Sequence, residues 1–351
     1  MGTKIQVAIQ GGGAKIIGLV AAMEVLQKME AAGEVEITRL AGTSAGAIVA
    51  ALYSAKIDMG QLRLSLGTGE LRELFENYEK PGKIEIIKRL VEGTPICDPG
   101  PIREFLRKLL EHAEKTYVND LNPKVRIVSA NVAKSSKHDH KDEDKLLEAL
   151  MSTSALPFVF RVWDTRRQPE PPRSRWKKFY HKYIATPPHP EEKAEALRDN
   201  DAEKPWLVDG GICENLPISE LLAGEHQLGP VVAITFSTDK YFRPADILGF
   251  GKAVLDTAID NSVHRARSLL PPSAIFEIGP WFPISTLDFG EAIKAAGDVT
   301  GPGKAYKRVT DEAVKFFKRY IQRQRDGNPA TSYDPWRSDN TTVRKILEAN
   351  W

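Results

Sequence analysis

Cysteine is nearly absent from this 351-residue chain, which carries only Cys97 and Cys213. Two thiols cannot build the disulfide framework of a small secreted fold, and neither has a second Cys or a His at zinc-finger spacing. A reducing compartment is expected, so the localisation read from the sequence is cytoplasmic. An excess of one charge is missing as well. Against 49 Lys and Arg stand 47 Asp and Glu, leaving a formal charge of +2, and no global field draws such a chain onto nucleic acid. No stretch reaches the roughly 18 to 20 uninterrupted apolar residues of a membrane-spanning helix. The N-terminus lacks the long apolar region and small-residue cleavage site of a signal peptide. A soluble protein is expected, with at most transient contact at a membrane surface. There is no internal repeat. What is present is 42% hydrophobic residues, enough over this length to bury a sizeable core in one large α/β domain or two ordinary ones.

The hydrophobic residues come in a repeating order. Ile5-Gln6-Val7-Ala8-Ile9 reads as a buried strand, Gly11-Gly12-Gly13 as a turn, and the following apolar positions Ile17, Val20, Ala21, Val25 and Leu26 as one face of an amphipathic helix. Ile37 to Ala41 reads as a second strand, stopping at Gly42-Thr43-Ser44-Ala45-Gly46 before a small-residue helix from Ala47 to Ala55. Residues 61 to 115 read as mainly helical with a break around Pro95 to Pro101. Further strands are expected at Val125 to Asn131, Val231 to Phe236 and Ile275 to Ile278, with a long helix from about Ala245 to Leu270. Such alternation predicts a three-layer α/β/α fold around a central, mostly parallel sheet. Residues 1–324 are expected to form one catalytic domain, interrupted at about 168–205 by a proline-rich, charged insertion or lid. The polar stretch 325–351 is expected to be a C-terminal tail.

Chemistry concentrates at three turns. Gly42-Thr43-Ser44-Ala45-Gly46 fits G-x-S-x-G between a strand and a helix, where a sharp elbow presents a serine hydroxyl at a helix N-terminus. The other reading of these five residues is an ordinary glycine turn with an N-cap serine. Gly11-Gly12-Gly13-Ala14-Lys15 fails both nucleotide-binding patterns, because Ile16 stands where the dinucleotide fingerprint needs Gly or Ala, and Ala14 and Ile16 break the phosphate loop. It fits an oxyanion hole instead, with glycine amides facing one point and Lys15 adding positive charge nearby. Val208-Asp209-Gly210-Gly211 places an acid at the end of an apolar strand, expected at the carboxyl edge of the sheet. An Asx-type turn would explain it alone. A Ser-His-Asp triad finds no support: His112, His138, His140, His181, His189, His226 and His264 all lie outside motif-like settings. His138-x-His140 with Asp139 and Asp142 has metal-ligand residue types, but a solvated charge run explains it more simply. No metal and no organic cofactor is expected.

Taken together these turns resemble the patatin-like phospholipase family, marked by G-G-G-x-[R/K]-G, G-x-S-x-G and D-G-[G/A] in that order. Ser152-Thr153-Ser154-Ala155-Leu156-Pro157-Phe158 and Glu214-Asn215-Leu216-Pro217 are similar to two further family blocks. The resemblance covers about residues 5 to 290. It implies a lipid acyl hydrolase of the phospholipase A or lysophospholipase type, in which Ser44 attacks an ester and Asp209 takes its proton directly. The oxyanion hole implied is the glycine run Gly11, Gly12 and Gly13, with Lys15, Gly42, Gly46, Gly210 and Gly211 in support. Ile16 departs from the family's glycine and Lys15 replaces the commoner Arg, which keeps charge but loses the bidentate fork.

The resemblance implies a phospholipid or other acyl-ester substrate and no nucleic acid. It leaves room for two alternatives: an inactive lipid-binding member of the fold, and an effector switched on by an unidentified activator. In the insertion, Arg173, Arg175, Trp176, Lys177, Lys178, Phe179, Tyr180, Lys182 and Tyr183 mix cations with aromatics. That mixture suits an anionic lipid interface or a lid, and equally a solvated loop.

Overall fold

The computed structural model describes residues 2–67, 98–157, 159–160, 205–222, 228–237, 247–284, 286, 292 and 304–326. Nearly all of the expected insertion and tail, together with Cys97, His181, His189 and His226, lies outside the described residues.

The first strand, β1 (Thr3–Ile9), is buried from Ile5 onward and leads into helix α1 (Ile16–Ala31). Strand β2 (Val35–Thr43) and helix α2 (Ala45–Ser54) repeat the unit. Then come α3 (Met59–Gly67), α4 (Gly100–His112), β3 (Lys124–Asn131), β4 (Ser136–Asp139) and α5 (Leu146–Thr153). After the undescribed segment follow β5 (Leu207–Asp209), the single turns α6 (Gly211–Glu214) and α7 (Ser219–Leu222), β6 (Val231–Phe236), α8 (Ile247–Arg267), β7 (Ile275–Ile278) and α9 (Ala305–Arg325).

These strands form one seven-stranded sheet in the order β4-β3-β2-β1-β6-β7, with β5 also paired to β3. The pairs β1–β2, β1–β6, β2–β3 and β6–β7 are parallel. Only β4 and β5 run antiparallel, both against β3. The fold is therefore mixed α/β, with a central and mostly parallel sheet flanked by helices, as the alternation predicts.

Two helices are buried more completely than their sequences suggest. In α1, Ile17 to Met23 are all buried, and so are Val25, Leu26 and Met29. The amphipathic reading fails because α9, α2 and α3 all pack against α1 and cover more than its sheet-facing side. Of these, α9 is itself amphipathic: Tyr306, Val309, Ala313, Phe317, Tyr320 and Ile321 form its buried stripe. Every residue of α2 is buried, and its run of Ala and Gly lets the helix backbone approach the strands closely.

Register decides where the loops emerge. Ile9 pairs with Gly42 on one side and with Ile234 on the other, so the glycine turns after β1 and β2 leave adjacent strands at the same level. On β3, β2 pairs as far as Thr43 opposite Val128, and β5 pairs from Asp209 opposite Ser129. Because β4 occupies the other flank of β3 over residues 128–131, β5 lies on the flank that β2 has just left. The two strands thus meet end to end, Thr43 against Asp209, and the next residue after Thr43 is Ser44.

Candidate active site

The chain turns from β2 into α2 at Ser44, which adopts φ 52° and ψ −127°, a backbone region that non-glycine residues rarely occupy. The steric reason for both neighbouring glycines is direct. A Cβ on Gly42 would lie 2.5 Å from the nitrogen of Ala47, and one on Gly46 only 2.3 Å from the carbonyl oxygen of Ile9. Neither obstacle is a side chain that could swing away. The elbow therefore depends on glycine at both positions, and it presents Ser44, 8% exposed, at the start of a helix. The amide of Ser44 donates to Thr153 Oγ1 at 2.9 Å, and the Thr153 hydroxyl donates in turn to the carbonyl of Val128. This pins the serine to β3 and α5.

Asp209 ends β5 and is 5% exposed. Its Oδ1 accepts the Gly211 amide at 2.7 Å, and the Ser44 hydroxyl is near enough to act on the carboxylate as a second donor. Burial pushes the carboxyl up to about 6, against the opposing pull of those two donors. Its own amide donates to Ala155 and that of Gly210 to Thr153, so the end of α5 and the residues just after it hold both halves of the pair. A Cβ on Gly210 would meet the Val128 carbonyl at 2.2 Å. Asp209 ends an antiparallel strand laid head-on against the carboxyl end of β2.

The glycine run after β1 divides into different roles. Gly11 was expected to offer its amide to an oxyanion, but that N–H donates to the carbonyl of Asn215 at 3.0 Å. The amides of Gly12 and Gly13 have no acceptor among the described residues. Gly13 has φ +53°, and a Cβ there would lie 2.3 Å from the Thr286 carbonyl oxygen. A Cβ on Gly12 would press on the ring of Phe236, over which the Lys15 ammonium sits 5.0 Å from the centroid. Lys15 is thus close to the glycine run.

Several residues that shape the site escaped the sequence reading. Gln10 is buried, its Oε1 accepting the Phe236 amide at 3.0 Å and the Thr235 hydroxyl, which ties the turn after β1 to the end of β6. Asn215 accepts from Gly11, and its own amide donates to Ser262 Oγ at 3.1 Å. Both act across more than forty positions of sequence, where no local pattern points. Thr153 and Asn215 fall inside blocks singled out by resemblance, but only the folded geometry gives them a role.

The charged loop at 137–145 also needs correction. His140 is not part of a solvated run: it is 5% exposed, and its Nε2 lies 2.8 Å from the buried Ser129 hydroxyl oxygen. Its Nδ1 faces Asp144 Oδ2 at 3.3 Å. The acid beside it is therefore Asp144, not the expected Asp139 or Asp142. Burial lowers the pKa of His140 to about 4, with a smaller contribution from His138.

A profile of the patatin-like phospholipase family matches residues 7–222, more than half of the chain. No match is found among curated protein sequences. Among solved structures, VipD from Legionella pneumophila aligns at 13% identity and TM-score 0.41, over 92% of this chain and 67% of that one. ExoU from the type III secretion system of Pseudomonas aeruginosa, in complex with SpcU, aligns at 13% identity and TM-score 0.43, over 91% and 53%. Human GIVD cytosolic phospholipase A2, bound to methyl gamma-linolenyl fluorophosphonate, aligns at 14% identity and TM-score 0.38, over 92% and 59%. The chain thus spans between about half and two thirds of the length of these proteins. The matched region carries both glycine turns, the Ser44 elbow and Asp209, and the chain belongs to the patatin-like phospholipase family.

Proposed function

We propose that this protein is a lipid acyl hydrolase of the phospholipase A or lysophospholipase type, working through a Ser44–Asp209 dyad. One observation carries the reading: a serine at a strained strand-to-helix elbow stands beside a buried carboxylate that ends the strand laid head-on against its own, and burial raises that carboxyl to about 6. An unperturbed aspartate is a weak base towards a serine hydroxyl, and burial makes this one stronger while leaving it ionised near pH 7.

The reaction then follows. Ser44 Oγ attacks the ester carbonyl carbon while its proton passes to Asp209. Charge developing on the carbonyl oxygen is received by the amides of Gly12 and Gly13, with Gly11 holding the turn in place through Asn215. Collapse of the tetrahedral intermediate breaks the ester C–O bond, and the departing alcohol takes the proton from Asp209. Water next gives a proton to Asp209 and attacks the acyl-serine. The fatty acid leaves and Ser44 recovers its proton. No step calls on a metal or organic cofactor.

The substrate is proposed to be a phospholipid or related acyl ester met at a membrane surface. Among the described residues no helix is long and apolar enough to cross a bilayer. Reaction with a fluorophosphonate probe, lost in Ser44→Ala, together with hydrolysis of a short-chain p-nitrophenyl ester, tests the assignment. Full esterase activity in purified Ser44→Ala or Asp209→Asn overturns the dyad. Absence of probe labelling in the wild type favours an inactive lipid-binding protein, and activity that appears only with cell extract favours an activated effector.

A further inference from the structure

Residues i and i+2 of an extended chain share a face, so His138 and His140 project together from the β4 edge. Their rings meet edge to face with centroids 4.9 Å apart. Asp144 returns to the same place, and one ligand atom from each of His138, His140 and Asp144 lies within 4.8 Å of the others. None of the three takes part in the proposed hydrolysis.

We propose that His138, His140 and Asp144 form a binding site for a divalent transition-metal ion of the zinc type. Two imidazole nitrogens and one carboxylate oxygen are a donor set that suits zinc and its neighbours rather than magnesium or calcium. The geometry is partly built. Ligand atoms of a tetrahedral ion bound at about 2.0 to 2.1 Å stand about 3.3 Å apart, and His140 Nδ1 is 3.3 Å from Asp144 Oδ2. The other nitrogen of His140 is held at 2.8 Å by Ser129 Oγ, the outer hydrogen bond that fixes tautomer and ring plane in metal-bound imidazoles.

Asp144 is also preorganised. Its Oδ2 accepts the Lys141 amide at 2.9 Å, and its carbonyl accepts the Val118 amide at 3.0 Å, which anchors the turn to the segment before β3. The nearby Lys137 ammonium is countered by Asp139, Glu214 and Glu220. Three protein ligands leave a fourth position for water. The ion clips the edge strand β4 and the turn 141–144 to β3, whose Ser129 pairs with His138 on one side and Asp209 on the other.

The test uses the untagged full chain stripped with EDTA and titrated with Zn2+ against a chromophoric chelator. One equivalent is taken up at micromolar protein, and the melting temperature rises with added Zn2+. His138→Ala and Asp144→Asn each weaken uptake at least tenfold, and Ser129→Ala weakens it roughly 10- to 100-fold by loosening His140. Co2+ gives the intense visible bands of a four-coordinate ion. Both His138 and Asp144 are only half-buried, so their variants are expected to fold, which circular dichroism verifies. No uptake by the wild type, or undiminished uptake by the folded double variant His138→Ala/Asp144→Asn, overturns the site. Neither result bears on the Ser44–Asp209 reading.

Discussion

Ser44 is paired directly with a carboxylate and Ser129 reaches one through a histidine, and the serine with the more familiar partners is the less equipped for catalysis. Ser129, His140 and Asp144 stand in Ser-His-Asp order with contacts of 2.8 and 3.3 Å. Yet Ser129 is wholly buried in the middle of a strand, where substrate has no approach and the neighbouring amides belong to the sheet. Among the described residues Ser44 has no histidine partner, but it stands at a strained elbow, opens a helix, and faces a glycine turn whose Gly12 and Gly13 amides have no acceptor there. The contrast teaches that residue identity does not make a nucleophile. Backbone strain, access and nearby donors do.

The sharpest way to break this comparison is to remove each hydroxyl. Ser44→Ala is expected to lower kcat/KM for an acyl ester by about a thousandfold or more. Mass spectrometry of a fluorophosphonate adduct is expected to locate it on Ser44 and not on Ser129. An adduct on Ser129 would reverse the two roles.

The next largest effect concerns the elbow itself. Gly46→Ala drives a Cβ to 2.3 Å from a strand carbonyl, so a loss of about 3 kcal/mol or more is expected, enough to abolish soluble expression in a marginal fold. Gly33 provides the control: it has φ +71°, and a methyl added there would meet nothing within 4 Å. Gly33→Ala should cost only about 1 to 2 kcal/mol. Denaturant midpoints of the two variants separate backbone collision from backbone strain, and equal losses would refute the steric account.

Both glycine turns and Asp209 were legible in sequence because each is a local event, a strand that ends within one or two residues of Gly. The parallel order of the main strands was legible for the same reason, since strand-turn-helix units repeat. What could not be read was anything set by register. That β5 meets β2 head-on along β3 depends on pairing between residues about eighty positions apart, and this pairing is what brings Asp209 to Ser44. Likewise the charge of the loop 137–145 suggested solvent, because hydropathy does not reveal that His140 folds back onto Ser129. The loss of the Gly11 amide to Asn215 was equally invisible, being a contact between residues about two hundred positions apart.

Stability offers a third test. In the folded chain the Asp209 carboxyl is raised to about 6 by burial, above its usual value near 3.9 in an unfolded chain. The folded state therefore holds its proton more tightly, and stability is lost as pH rises from about 4 through about 6. Asp209→Asn does not titrate and can still accept the Gly211 amide. It is expected to be more stable than the wild type by up to about 3 kcal/mol at pH 8 and about equal at pH 4, while losing nearly all activity. Urea midpoints at the two pH values check this. The activity of the wild type should follow the same group in the opposite sense, kcat/KM falling about tenfold per unit below pH 6. A limb set by a group other than Asp209 would leave the profile at a pH unrelated to this carboxyl.

The smallest expected effect returns to the second serine. Ser129→Ala removes a hydroxyl paired with His140 Nε2 and leaves a buried ring nitrogen without a partner, at a cost of about 1 to 3 kcal/mol. Its Cα neighbour across the ladder is Asp209, so the substitution lies beside the proposed base without touching its hydrogen bonds to Gly211 and Ser44. Esterase activity is therefore expected to stay within about threefold of the wild type below the melting temperature, where the fold is intact. A drop as large as that of Ser44→Ala, with the fold preserved, would mean that the buried His140 chain acts on the dyad through β3. The head-on meeting of β2 and β5 would then be only half of what positions Asp209.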